Sequence, residues 1–583
     1  MRFLRMLTNA VAGGLLGAVY LTLLLLQLNP HVPLISATTW HWTLTLAVFY
    51  GAHLIVFFYL ALALREFVAT PVSPGWISVR LLAWMAAFVS VGAAVLMWVN
   101  VRGFGLSLGE HAVRRMTIGA IAMSAAASVV LLTALARYSF GRRGSPAAGA
   151  MLLLAVATSI AAPLAARGPG QPDPPGPRRS ELASVVAGPV GGRVVLILLD
   201  GASLEYLWPL AAEGRLPNFD RLLTRGATID LATIRPTQPE PVWTAVATGK
   251  YPPGNGVRSA ATYRVQPSDA PVDLLPDYTF SHLLVRLELV RSDPTTSAAW
   301  RARPLWDILN GFGLASGVVR WPATLPARPV RGFLVSDRFH QISSPLLRLD
   351  DEEIAYPPQI LPATRGIFTE AAERPDIVPA GLEGADAPGG DDSEARWDPV
   401  YARAARELGA GNGPLTLTAV RYAGLDDVGH VYLRYAQPGA FGDVTDAERQ
   451  RHGEVLERYY GYIDAEIGSV VQTLGPEDLL LVVSGFGMQP VSPGKRLVAR
   501  AMREGHITGT HDRAPDGFLI AYGAHVTTGK LPERGSIVDV TPTVLYFLGL
   551  PVGRDMDGFA RTDLFERTFT ADRPITFIAT YDR

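Results

Sequence analysis

No cysteine occurs among the 583 residues. That excludes a disulfide framework, a thiolate metal site and a cysteine nucleophile, while leaving either side of a membrane open. An excess of one charge is missing too: the formal net charge is -1 at pH 7, so no general attraction to nucleic acid follows. Charge is absent altogether from five long stretches, near Thr8–Leu28, Trp42–Leu64, Leu81–Asn100, Thr117–Ala136 and Ala147–Ala166. Without Asp, Glu, Lys or Arg these stretches carry no mark of an ion or proton pathway, which favours anchoring over transport.

Apolar residues make up 49% of the chain and crowd into its first third. Crossing a hydrocarbon core of about 30 Å takes roughly 20 helical residues, and the five stretches meet or approach that length. The first follows Arg2 and Arg5 but has no clear small-residue cleavage site, and four further spans come after it, so it is read as a span and not as a signal peptide. With the N-terminus inside, the cytoplasmic segments hold Arg2, Arg5, Arg65, Arg80, Arg137, Arg142 and Arg143. The first external loop has no Lys or Arg, and the second has Arg102, Arg114 and Arg115. This bias and an odd number of spans place everything after residue 166 on the extracytoplasmic side of a cytoplasmic membrane. The domain plan is then a transmembrane region over 1–166, a Pro/Gly-rich linker over 167–191, and a soluble domain over 192–583. The lipid bilayer is the one partner this plan implies; oligomeric state is not legible.

In the soluble part, Arg193-Val-Val-Leu-Ile-Leu-Leu-Asp200-Gly201 predicts a strand apolar on both faces, as in a sheet covered by helices on both sides. Ligands bind at the carboxyl ends of such strands. Further strands are expected over Ala315–Arg320, Leu415–Tyr422, Leu479–Ser484 and Gly517–Tyr522, with a helix over Glu448–Leu474 between two of them. The alternation predicts an α/β domain with a mostly parallel sheet. The acidic, Gly-rich Gly381–Glu394 reads as a solvated surface loop.

Several elements occur in order along this part. They are Leu199-Asp200-Gly201, Pro217-Asn218-Phe219, Trp243-Thr-Ala-Val-Ala-Thr-Gly249, Arg320-Trp-Pro-Ala-Thr324, Asp426-Asp-Val-Gly-His430 and Asp539-Val-Thr-Pro-Thr543. Together they resemble the type I phosphodiesterase and nucleotide pyrophosphatase branch of the alkaline phosphatase superfamily, over roughly 193–560. The resemblance implies an alkaline-phosphatase-like sheet flanked by helices. It also implies hydrolysis of phosphate esters by two metal ions about 3.5–4 Å apart and a Thr or Ser nucleophile activated by a metal.

By resemblance, Asp426, His430 and His511 make one metal site, and two imidazoles with one carboxylate suit zinc. The other site would use Asp200, the nucleophile and an Asp-His pair. Asp200 is present, but Gly485 and Phe486 stand where the pair belongs, and Pro239 stands where the nucleophile belongs. Thr237 is the nearest hydroxyl and Glu240 the nearest carboxylate; His506 reads as a loop histidine. The expected cofactor is a divalent metal, zinc for preference, one ion rather than two. Two functions remain open. One is a membrane-anchored phosphoesterase working with a single metal. The other is an inactive pseudoenzyme serving as a binding or assembly module. The insertions near 262–302 and 339–412 carry no motif that names a substrate.

Overall fold

The computed structural model describes all residues except 69–73, 140–144, 171–191, 267–269, 277–280, 342–352, 374–392, 502–505, 512–514 and 583. The expected linker beyond Gly170, the loop bearing Arg142 and Arg143, and most of Gly381–Glu394 lie outside the described residues. The chain divides into two compact units, Met1–Pro175 with Ala261–Pro294, and Gly176–Ala260 with Thr295–Arg583.

The first unit contains five helices long and apolar enough to cross a membrane: α1 (Arg2–Leu28), α2 (Ala37–Glu66), α3 (Val79–Gly103), α4 (Glu110–Tyr138) and α5 (Pro146–Arg167). Each contains one of the charge-free stretches; the charged residues sit near the helix ends. Arg167, buried at the end of α5, donates to the carbonyl of Leu26 in the last turn of α1 and to those of Asn29 and Val32 just beyond it. The same unit takes in part of the segment expected to be an insertion of the soluble domain. An antiparallel pair, Ala261–Arg264 with Arg291–Pro294, frames it. Asn29 holds it by donating to Leu274 O at 2.8 Å while its Oδ1 accepts from the amides of Asp273 and Leu274. Val265, Val272, Leu284 and Val290 are buried with Leu25, Val32 and Trp42.

The second unit is built on a ten-stranded sheet. In chain order its strands are β1 (Val194–Leu199), β2 (Ala227–Ala232), β3 (Ser316–Val319), β4 (Gly332–Val335) and β5 (Ala355–Tyr356), followed by β6 (Leu417–Tyr422), β7 (Leu479–Phe486), β8 (Asp516–Gly523), β9 (Gly529–Lys530) and β10 (Gly535–Ser536). The spatial order is β9-β2-β8-β7-β1-β6-β3-β4-β5, with β10 also paired to β2. The central strands β7, β1, β6, β3 and β4 are parallel, and β8 enters antiparallel. Both faces of β1 are buried, Val195, Ile197 and Leu199 in one apolar layer and Val194, Leu196 and Leu198 in the other. That double burial is the reason for its unbroken aliphatic run. The helices that position the site are α6 (Pro239–Thr248) on one face, and α7 (Glu394–Gly411), α8 (Gly424–Ala436) and α9 (Val455–Thr473) on the other. The helix expected over Glu448–Leu474 is two helices, a short Asp446–His452 and then α9, because the first stops at Gly453.

Candidate metal centre

Strand β6 ends at Tyr422 and α8 begins at Gly424, so Asp426 and His430 stand at the carboxyl edge of the sheet. The start of α8 is held by Asp398 of α7, whose two oxygens accept from the amides of Ala423 and Gly424, each at 3.0 Å. Those amides belong to the open N-terminal turn, and a carboxylate there also suits the helix dipole. Tyr459 donates to Asp398 at 2.6 Å, and the fully buried Arg320 guanidinium pairs with it and with Glu394. Arg320 also lies over the Tyr401 ring, 4.6 Å from its centroid. The Arg320-Trp-Pro element therefore acts as a support beneath α8. Gly424 is required by close approach: a Cβ there would collide with the Tyr459 hydroxyl.

Asp426 and His430 are four residues apart and share one face of α8. His430 Nε2 is 3.5 Å from Asp426 Oδ2, and His511 Nε2 is 3.9 Å from the same oxygen. His430 Nδ1 meets the Gly509 carbonyl at 2.8 Å, which turns Nε2 toward the cluster. A short antiparallel pairing of Gln489–Pro490 with Gly509–Thr510 delivers His511. One ligand atom from each of the three residues lies within 4.8 Å of the others. Asp426 Oδ1 and His511 Nδ1 are buried and have no hydrogen-bond partner among the described residues. Burial opposes charge on both members of the helix pair, but their mutual bond wins. Asp426 is held below the usual carboxylate range, and His430 is raised to about 9. Asp427 turns away, accepting from Ser393 Oγ at 2.5 Å, and His506 is exposed outside the cluster.

Asp200, expected as a ligand of the other site, has both carboxylate oxygens accepting from protein donors. Trp243 Nε1 donates to Oδ1 at 2.6 Å, and Arg421 donates to Oδ2 from Nη2 at 2.5 Å and from Nε at 3.0 Å. Next to it Gly201 has φ 70° and packs so closely that a Cβ would sit 2.9 Å from the Asp426 Cα. Pro239 is the first residue of α6, and Thr237, expected as the nearest nucleophile, is buried with its hydroxyl donating to Ile234 O at 2.9 Å. Burial pushes the Glu240 carboxyl up, and its Oε2 has no partner. At Gly485 a Cβ would meet Val242 Cγ1 at 2.5 Å, and the fully buried Phe486 sets its ring 5.1 Å from that of His511.

Sequence reasoning missed Arg421, Asp398 and the donor role of Trp243. A signal existed for the first: Arg421 is a lone cation in an otherwise uncharged strand. A cavity of about 950 Å³ lies elsewhere, along β1 and β6 between α7 and α9, and none of the cluster residues lines it.

No curated protein matches the sequence. Among solved structures, wild-type alkaline phosphatase PafA is similar at 12% identity and TM-score 0.43, covering 65% of this chain and 100% of that one. Murine ectonucleotide pyrophosphatase/phosphodiesterase 5 is similar at 14% identity and TM-score 0.37, covering 64% and 100%. Likenesses this distant place no residue. The family model of type I phosphodiesterase / nucleotide pyrophosphatase matches residues 194–529, a span that takes in Asp200, Asp426, His430 and His511. By that match over more than half its length, the chain belongs to the type I phosphodiesterase / nucleotide pyrophosphatase family.

Proposed function

We propose that the protein is a membrane-anchored phosphoesterase that works with a single divalent metal, zinc for preference, held by Asp426, His430 and His511. The observation that carries this reading is the convergence of three ligand atoms within 4.8 Å, two of the residues also bearing buried atoms without partners. One carboxylate and two imidazoles are a donor set that zinc accepts with a position left open. A divalent ion there supplies Lewis-acid polarisation of a phosphoryl oxygen and acidification of water. The protein's own part is to keep that set in place: Asp398 fixes the start of α8, and Gly509 orients His430.

The overall reaction is hydrolysis. A water oxygen bonds to phosphorus and gives up a proton, the ester P–O bond breaks, and its electron pair leaves on the alcohol oxygen, which takes up a proton in turn. Water is the nucleophile in this reading because Pro239 offers none and the Thr237 hydroxyl is committed to Ile234 O. The five apolar helices and the arginine bias of their loops support an anchor in the cytoplasmic membrane, with the family domain on the extracytoplasmic side.

The same engaged hydroxyl and the missing Asp-His pair favour a second reading, a pseudoenzyme kept for binding or assembly. Purified protein assayed on bis(p-nitrophenyl) phosphate and p-nitrophenyl phosphate separates the two. The enzyme reading expects turnover that a chelator and His430→Ala both abolish. Bound metal without turnover on a broad ester panel favours the pseudoenzyme.

A further inference from the structure

The half of the site around Asp200 does not fit a metal ion. Both Asp200 oxygens already accept strong donors, from Trp243 and Arg421. The positions that would supply two more ligands are Gly485, closed off by Val242 and Trp243, and the buried Phe486. What stands there is a permanent cation, since a guanidinium keeps its proton at any working pH.

Arg421 is placed by the strand itself. It pairs in register with Leu198 of β1, two residues before Asp200, in the centre of the sheet. Nε and Nη2 both reach Asp200 Oδ2, so the planar fork is fixed in direction. Among the described residues Nη1 meets no acceptor, and the side chain keeps 11% of its surface exposed. The carboxylate it grips belongs to Asp200, whose neighbour Gly201 packs directly on Asp426 of the Asp426–His430–His511 cluster: a Cβ on Gly201 would lie 3.0 Å from Asp426 Oδ1. A preset guanidinium with an unused N–H pair suits an oxygen of a tetrahedral oxyanion.

We propose that Arg421 is the second cation of this site and binds a non-bridging oxygen of the phosphoryl group presented to Asp426, His430 and His511. The assignment rests on the reading of those three residues as the phosphoryl-binding metal site. It makes the loss of the second metal a replacement by a protein charge.

The test is calorimetric titration of the zinc-loaded, full-length protein with inorganic phosphate, alongside Arg421→Met and Arg421→Lys, with zinc counted in each. We expect the methionine variant to keep its zinc and bind phosphate roughly 10- to 100-fold more weakly, with lysine intermediate. Unchanged phosphate affinity in a folded, zinc-loaded methionine variant overturns the proposal, as does a second zinc in the wild type under zinc excess. Should the methionine variant not fold, Arg421→Gln, polar and uncharged, decides: phosphate binding weakened roughly 10-fold or more supports the proposal, and equal binding overturns it. Failure of the metal reading looks different. A wild type without zinc whose phosphate binding still depends on Arg421 keeps the guanidinium assignment alone. A wild type that binds neither zinc nor phosphate overturns both.

Discussion

The two halves of the site sit side by side at the carboxyl edge of one sheet, yet packing treats them in opposite ways. Around Asp426, His430 and His511 the chain leaves polar atoms unpartnered and builds supports behind them: Asp398 under the helix start, Gly509 behind His430. Around Asp200 both carboxylate oxygens already accept from protein donors, and the neighbouring space is closed by Val242, Trp243 and Phe486, although Glu240 Oε2, on the same helix as Trp243, is left without a partner. Buried polar groups cost free energy unless they are paired, so atoms left unpaired mark a place where something else is expected to bind. By the same logic a carboxylate that already accepts three hydrogen bonds has less need of a further partner. The comparison teaches that a degenerate motif can hide two fates, a half-site kept open and a half-site rebuilt as a protein ion pair.

The largest way to break the open half is from below. Asp398→Ala leaves the Arg320 guanidinium buried beside an incomplete partner set and frees two amides of α8. Loss of one partner of a buried pair costs about 3–5 kcal/mol, and chemical denaturation should show it. Unchanged stability would mean that the support beneath α8 is unimportant. His430→Ala acts on the open half directly, and zinc affinity measured by competition should fall by more than about 100-fold, beyond what loss of an outer partner costs. The equivalent change in the closed half, Asp200→Asn, is expected to leave that zinc in place.

Restoring the family residues sharpens the contrast. Pro239→Thr, Gly485→Asp and Phe486→His together should not create a second metal site, because the new Asp side chain begins 2.5 Å from Val242 Cγ1. Overpacking of that kind costs about 1–3 kcal/mol, so a lower Tm with unchanged zinc content is expected; two zinc ions in the variant would refute the closed half.

The smallest effect is a pH dependence. His430 is raised from 6.5 to about 9 in the fold, so its pairing with Asp426 stabilises the metal-free protein fully below about 6.5 and is lost as pH rises through about 9. Its side chain is 29% exposed, and after screening the loss is on the order of 1 kcal/mol. Zinc needs the neutral imidazole, so its affinity should rise over the same interval with release of a proton. Denaturation midpoints and zinc affinities that stay flat from pH 6 to about 10 would contradict the pairing.

Much of this was legible in the sequence. The five helices follow from long charge-free runs, and β1 from an aliphatic run that both faces of the sheet demand. Asp426 and His430 were legible through the family's Asp-x-x-Gly-His element, and the structure adds that both lie on one helix face. His511 too is legible only through resemblance, and its approach depends on a two-residue strand pairing with no pattern of its own. Arg421 was hidden for a similar reason: its role depends on the register between β6 and β1, which no local periodicity encodes. Nor does hydropathy show that Ala261–Pro294 packs with the helical unit. That union depends on Asn29 binding a backbone 245 positions away.

The most direct test of the central claim is the number of zinc ions per chain in the purified protein, counted by mass spectrometry across a range of zinc excess. The two unlike halves predict one ion that saturates and disappears in His430→Ala. Two ions per chain, or one that survives His430→Ala, would contradict the account.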